Sequence, residues 1–384
     1  IAANRMTGRG ESRHGSVRVR KFAVCGTRRG RELQVQAWAV VENGAPLDLI
    51  EIETPLPHDE EVVVKVSHCG VCHSDLHFWK GAYNLGGGKV LKVQDTGVVL
   101  PRAPGHEIVG VVSNVGPRAS NVKIGDRVIV YPWVGCGQCE YCKDELDNLC
   151  SRQQSLGVVQ HGGFAQYVKV PSSRYVVPLG DLDPAAASVL SCSGITVYGA
   201  IKRAFPLAPE EPIVLFGAGG LGLLAVGMLK AFGHKNIVSI DIDEDKRIAA
   251  THAGATATID GAAPELARKI IDAGGTRPKA VIDFVNNDTT ASVGFQVLAK
   301  GGRLVLVGMS GGELTISLAT TIFRRTSIQA VLTGGIGELR ELVDLAKQGK
   351  VPVPAITTMP MSKANDALNL LAQGKIVGRA VLTA

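Results

Sequence analysis

Hydrophobic positions in this chain fall into short blocks punctuated by glycine, proline and polar turns, and the blocks are of two kinds. Between about residues 195 and 335 they are continuous apolar runs: Ile213–Phe216, Ile237–Ile240, and the stretches 279–285, 303–308 and 327–332. Segments with helical character separate them, at Leu223–Phe232, 288–299 and 337–348. Strand-length apolar runs alternating with helices predict an α/β unit whose parallel strands are buried on both faces and joined by crossover helices. Residues 36–190 read differently. Their runs are short and valine-rich (61–66, 108–115, 126–131), with glycine and proline turns between them, which predicts an irregular β domain. The closing residues resume short strands, so the chain is expected to return to the first domain. The longest uncharged apolar run, Ile213 to Leu229, approaches the length of a membrane span, but Gly217, Gly219, Gly220 and Gly222 break it. It reads as strand, turn and helix, and no membrane partner is expected.

Composition supports a packed fold: 384 residues, 45% hydrophobic and 20% charged, can bury sizeable cores, which argues against disorder or a coiled coil. The net charge of +6 would suggest an acidic partner, but it is unevenly placed. Residues 1–35 hold nine Lys/Arg and two Asp/Glu, leaving 32 basic against 33 acidic residues in the rest. The body therefore lacks the clustered positive charge that phosphate backbones require, and no nucleic-acid partner is expected. Residues 1–35 are expected to be a disordered basic tail. Three origins compete for it: an organelle transit peptide, a basic arm that touches polyanions, or sequence upstream of the natural start, which the initial Ile1 favours.

Seven of the eight cysteines follow the tail. Cys136, Cys139, Cys142 and Cys150 are spaced so that three knuckled thiolates and a fourth within reach form a closed S4 site, which suits structural zinc. An iron–sulfur cluster also uses four thiolates, and spacing alone does not separate the two. Cys72, His106 and Cys192 are far apart in sequence. Two thiolates and an imidazole with a fourth position open would make a catalytic zinc site, but spacing alone favours three unrelated packed residues. The glycine-rich turn is more specific. The strand Ile213–Phe216 leads into Gly217-Ala218-Gly219-Gly220-Leu221-Gly222, a helix follows, and the next strand ends at Asp241. Such glycines permit a tight turn and a close approach to a pyrophosphate at the helix N-terminus. A carboxylate at Asp241 would accept ribose hydroxyls and repel a 2′-phosphate, so NAD is expected over NADP.

These motifs together resemble the zinc-dependent medium-chain alcohol dehydrogenases, from about Gln36 to the C-terminus. The match rests on Gly70-Val71-Cys72-His73-Ser74-Asp75, Gly105-His106-Glu107, the four-cysteine lobe, Cys192-Ser193-Gly194-Ile195-Thr196-Val197-Tyr198, the Gly217–Gly222 turn and Asp241. The resemblance implies a GroES-like irregular β domain and a doubly wound parallel-sheet Rossmann domain, with the cofactor between them. Boundaries are drawn at 36–193 for the catalytic domain, with a structural zinc lobe at 131–152, at 194–334 for the NAD-binding domain, and at 335–384 for the return. It further implies two zinc ions per subunit: a catalytic one on Cys72, His106 and Cys192, and a structural one on the other four cysteines. Ser74 and His77 match a proton relay, Asp75 a carboxylate orienting His106, and Glu107 a residue behind the metal that can become a transient ligand. Gly217, Gly219, Gly220, Leu221, Gly222, Asp241 and Lys246 match cofactor contacts. His73 and Arg379 match residues that meet the pyrophosphate, and Val307 and Met309 are expected near the nicotinamide. Trp79, Tyr131 and Trp133 are expected to line the substrate pocket, and Cys69 to be a packed thiol. One departure stands out: His106 comes 34 positions after Cys72, more than the resemblance implies. The surplus lies in Tyr83–Pro101, a loop that could shape the pocket or decorate the surface.

The function expected on this basis is reversible hydride transfer from a primary or secondary alcohol, including aromatic or medium-chain ones, to NAD. The alternative is a polyol or other dehydrogenase of the same superfamily, against which Cys192 argues, because polyol members often carry a carboxylate there. A cytoplasmic homo-oligomer is expected, with a tetramer favoured over a dimer.

Overall fold

The computed structural model describes residues 34–384 and the backbone of Val19–Arg20. The tail expected at 1–35 therefore falls mostly outside the described residues. Its boundary moves, because the first strand of the body, Gln34–Ala39, starts two residues earlier than expected. Gln34 and Val35 pair with Glu53 and Ile52, and Val35 is buried. Val19–Arg20 adds a short parallel pairing to Leu49–Ile50.

Two large sheets organise the rest. The first has seven strands, built around the ten-residue Val62–Val71. Its flanks are Glu107–Val115 and Arg379–Thr383, both antiparallel to it. Valines at 62, 63, 64 and 66 are all buried, and two register shifts bend the strand where it would otherwise run flat. Through Ile356–Pro360 and Arg379–Thr383 the end of the chain thus joins the sheet begun near its start.

The second sheet is six-stranded and parallel throughout, in the order Ala257–Asp260, Ile237–Asp241, Ile213–Phe216, Ala280–Asp283, Arg303–Leu306, Ser327–Ala330. Period-two alternation divides its side chains between two cores: Ile213 and Leu215 face one, Val214 and Phe216 the other. That is why these strands read as unbroken apolar runs. The run at 327–332 behaves otherwise. Ser327–Ala330 is the terminal strand and all four residues are exposed, so it is not the doubly covered strand its apolar content predicts. Leu318–Arg324, an unexpected helix beside it, buries none of its residues. The segment expected as a loop at 83–101 contains an antiparallel hairpin, Ala82–Gly86 with Lys89–Lys92, and a 3-10 turn at Val93–Thr96. Among the described residues no single helix is long and apolar enough to cross a membrane.

Candidate functional site

Strand pairing assembles the site. Gly70 lies opposite Glu107 in the antiparallel register of the first sheet. Cys72, just past the end of one strand, is thereby brought beside His106, just before the start of the other. Cys192 arrives from the N-terminus of the helix Ser193–Ala204. The ligand atoms of Cys72, His106 and Cys192 all lie within 4.8 Å of one another, and all three residues are buried.

Asp75 organises this group. One carboxylate oxygen accepts the backbone N–H of Cys72 at 3.0 Å. The other accepts the Gly105 N–H at 2.9 Å and lies 2.9 Å from His106 Nδ1. With Nδ1 held there, His106 turns Nε2 inward, buried and without a protein partner. Cys72 and Cys192 are held against each other. The hydrogen bond from Cys192 pushes the Cys72 thiol well down, and that contact together with burial pushes Cys192 well up. Two buried cysteine sulfurs and an orphaned imidazole nitrogen form a donor set that suits a divalent cation of zinc type, with a carboxylate–histidine pair behind it.

Glu107 is fully buried on the opposite side of its strand from His106. It accepts the Ser193 backbone N–H at 3.1 Å, the Ser193 hydroxyl, and the Arg379 guanidinium. Burial pushes this carboxyl up, while Arg379 opposes the shift. A Cβ on Gly70 would lie 2.0 Å from Glu107 Oε2, so only glycine fits opposite it. Ser74 and His77 share the helix His73–Lys80, both half-buried, and His73 on its first turn is exposed. Burial lowers the His77 pKa, and its ring stacks on Tyr83 with centroids 5.2 Å apart. Trp133 stands 5.4 Å from the His106 ring with its indole N–H buried and unpartnered. Two other aromatics lie elsewhere. Tyr131, expected on the pocket wall, is fully buried, stacks on Tyr175 and donates its hydroxyl to the Gly334 carbonyl at 2.8 Å. Those contacts commit it to packing between the four-cysteine lobe and the parallel-sheet domain. Trp79 directs its indole N–H to the Ala45 carbonyl at 2.6 Å.

The glycine-rich turn lies at the end of Ile213–Phe216, at the switch point of the parallel sheet. Gly217 has φ of +90°, and a Cβ on Gly222 would fall 1.8 Å from the Gly217 carbonyl oxygen. Gly219 caps the helix Gly220–Ala231, whose free N–H groups are suited to an anion; Leu221 is half-buried in its first turn. Arg379 lies beside Gly220, where an added Cβ would come 2.6 Å from its Cδ. Asp241 accepts N–H groups from Ala218 at 2.7 Å and Asp243 at 3.0 Å, and Lys246 Nζ stands 3.9 Å from Asp243. Val307 and Gly308 both donate to the Asp283 carbonyl, so the strand end carrying Met309 is tied to the neighbouring strand.

The second cluster is compact. The four sulfurs of Cys136, Cys139, Cys142 and Cys150 lie within 4.8 Å of one another, and Cys150 Sγ accepts N–H groups from Cys136 and Arg152. Beneath it Asp147, fully buried, accepts the Tyr175 hydroxyl at 2.8 Å and the Arg174 guanidinium at 2.9 Å. Cys69 stays apart from both clusters as a buried thiol, filling space beside Gly105 and Gly163. Sequence reasoning missed Ser193 and Tyr83. Ser193 was signalled only by its place next to Cys192, and Tyr83 by nothing except the length of the surplus segment.

Comparison with known proteins agrees with this arrangement. Residues 58–181 match the alcohol dehydrogenase GroES-like domain, and residues 220–348 match the zinc-binding dehydrogenase family. The chain is 36% identical over 352 residues to an NAD-dependent alcohol dehydrogenase of Sulfurisphaera tokodaii, covering 91% of this chain and 99% of that one. It is 34% identical over 345 residues to a D-arabinose 1-dehydrogenase (NADP(+)) of Saccharolobus solfataricus, covering 88% and 94%. The crystal structure of an alcohol dehydrogenase from Aeropyrum pernix superposes with a TM-score of 0.83 at 31% identity, covering 91% of this chain and all of that one. The chain belongs to the zinc-binding dehydrogenases that carry an alcohol dehydrogenase GroES-like domain.

Proposed function

We propose that this protein oxidises a primary or secondary alcohol to the aldehyde or ketone with NAD, reversibly. The observation that carries the reading is the buried Cys72, His106, Cys192 group with its unpartnered Nε2, linked through Glu107 and Arg379 to the glycine-rich turn. Zinc on those three residues supplies Lewis acidity that makes an alcohol hydroxyl easier to deprotonate, and NAD supplies the hydride acceptor. Asp75 holds the proton on His106 Nδ1, keeping Nε2 free as a donor. Ser74 Oγ takes up the substrate proton as it releases its own, and His77, whose pKa burial lowers, takes up a proton at the edge of the cleft. Arg379 places positive charge beside Gly220, where the pyrophosphate of the coenzyme would meet the helix N-terminus, and His73 and Lys246 add to it. Trp133, standing against the His106 ring, favours planar or chain-like alcohols over polyols.

Several finer readings accompany this one. The four-cysteine cluster holds a second zinc, giving two per chain. Asp241 selects NAD, in contrast to the name of the arabinose-acting relative. The chain divides near 193 and again near 334, with the cleft between the units. The exposed edge strand Ser327–Ala330, with Leu318, Ile322 and Phe323 more than 70% exposed beside it, supports pairing with a second copy into a dimer or tetramer. Seven unpaired cysteines among the described residues fit the reducing cytoplasm. The test is the growth of NADH absorbance with a broad alcohol panel, alongside elemental analysis of freshly purified protein. No turnover of any alcohol would overturn the activity, and fewer than two zinc per chain would overturn the metal assignment.

A further inference from the structure

The four-cysteine lobe reaches the parallel-sheet domain mainly through the seven residues between its third and fourth thiols. Cys142 and Cys150 fix the two ends of that span, and the contacts lie inside it. Asn148 Nδ2 donates to the Thr333 carbonyl at 3.3 Å. The Tyr131 hydroxyl, at the entry to the lobe, donates to the next carbonyl, Gly334, at 2.8 Å. Glu145 adopts the left-handed conformation with φ of +60°, and a Cβ on Gly335 would fall 2.3 Å from its carbonyl oxygen. Its carboxylate meets the guanidinium of Arg340 in the helix Ile336–Lys347, and the same guanidinium donates to the Arg174 carbonyl at 3.2 Å. Thr333, Gly334 and Gly335, consecutive in the chain, are thus each held from the lobe.

The sheet register places these residues. Phe216, Ile240, Asp283, Leu306 and Ala330 are neighbours at the carboxyl ends of their strands. The chain after Ala330 therefore leaves the sheet at the end that carries the glycine-rich turn, Asp241 and Met309, where open parallel sheets bind ligands. The Val331 N–H continues the pairing by donating to the Leu306 carbonyl at 2.9 Å. On its other side the turn meets the helix that follows Cys192, since a Cβ on Gly334 would fall 3.2 Å from the Ile195 carbonyl oxygen. Little within the turn fixes it. Gly334 and Gly335 bring no side chains and the greatest backbone freedom. Thr333 Oγ1 is buried with no hydrogen-bond partner among the described residues. Where the turn stands depends on what holds its carbonyls.

We propose that Tyr131 and Asn148 are positioning residues for the coenzyme: by holding the Gly334 and Thr333 carbonyls they set the turn 331–335 against the ligand-binding end of the sheet. The four-cysteine lobe thereby acts on coenzyme binding from outside the cleft. The inference rests on reading that end of the sheet as an NAD site, and two readouts separate the two. The first is the dissociation constant of NADH, measured by titration calorimetry. Y131F removes the hydroxyl and keeps the packed ring; N148A removes the amide. Each weakens NADH binding about fivefold, a coupling of the size usual between distinct sites, with zinc content unchanged. The second is amide hydrogen exchange in the absence of coenzyme. Across 331–340 it speeds up about tenfold in each variant, while the six-stranded sheet keeps its wild-type rates. A merely structural role would lower the melting temperature and leave the NADH constant where it was, so an unchanged constant in either variant would overturn the proposal. Wild-type exchange across 331–340 would overturn it equally, because the two donors would not be what holds the turn. If N148A does not fold, Y131F carries both readouts alone. If the wild type binds no NADH, the coenzyme reading fails, while the exchange experiment still decides whether the lobe holds the turn.

Discussion

Replacing Asp75 with asparagine probes the part of the site that the chain builds without help from any ligand. The native carboxylate receives three N–H groups, from Cys72, Gly105 and His106, and is 1% exposed. Asparagine has one acceptor oxygen. In its less costly orientation that oxygen keeps Gly105 and His106, and the amide nitrogen then faces the Cys72 N–H, donor against donor. The Cys72 N–H and the amide NH2 facing it are both left unsatisfied, at about 1–3 kcal/mol of stability each. The lost negative charge also weakens the hold on His106 Nδ1, and loss of such a partner typically lowers metal affinity about ten- to a hundredfold. The assay is competition with a chromogenic chelator, read together with thermal unfolding. D75N should give up one zinc at a chelator concentration that wild type resists, while the four-cysteine site keeps its own. Wild-type zinc retention in D75N, with stability also unchanged, would refute the claim that Asp75 orients His106.

Two further outcomes follow from charged and titratable groups elsewhere. In D241N the loss of the carboxylate should lower the preference for NAD over NADP, measured as the ratio of kcat/KM, by about tenfold or more; an unchanged ratio would remove Asp241 from coenzyme selection. His161 accepts the Ala103 N–H at its Nδ1, and burial, helped by the Arg102 charge, pushes its pKa down to about 4. Above its ordinary value of 6.5 the ring is neutral in both folded and unfolded chains; as pH falls toward 4 the unfolded chain takes up a proton that the fold refuses. Stability should therefore fall through that window, by at most about 3 kcal/mol below pH 4. H161Q retains an acceptor without the titration, so its urea-unfolding free energy should lose less over the same window; parallel losses in both proteins would exclude His161 as the source.

How much of this was legible in the sequence depended on how far apart the interacting residues lie along the chain. The four-cysteine lobe and the glycine-rich turn are local, each contained in a stretch that carries its own geometry. Cys72, His106 and Cys192 are not. Their meeting depends on the register that sets Gly70 opposite Glu107, which no spacing rule supplies, so only the resemblance joined them. Tyr131 misled for the same reason, since its hydroxyl partner, Gly334, is 203 residues away. The run at 327–332 misled differently: apolar content marks a strand, but not whether a helix of the same chain covers it, and here none does.

Register also explains how the two halves of the site are joined. His106 and Glu107 are consecutive, so the alternation of an extended chain sends one side chain toward the thiols and the other to the opposite face. There Glu107 meets Ser193, the residue after Cys192, and Arg379, whose stem lies against Gly220. A buried, ion-paired carboxylate thus touches the residue beside Cys192 and the arginine beside the glycine-rich turn. Displacing Arg379, by an anion at the turn or by any side chain at Gly220, would leave Glu107 with Ser193 alone and without the charge that opposes its upward shift. The glycine-rich turn and the environment behind His106 are therefore linked through one side chain, and that link follows from the placement of two adjacent residues on a strand.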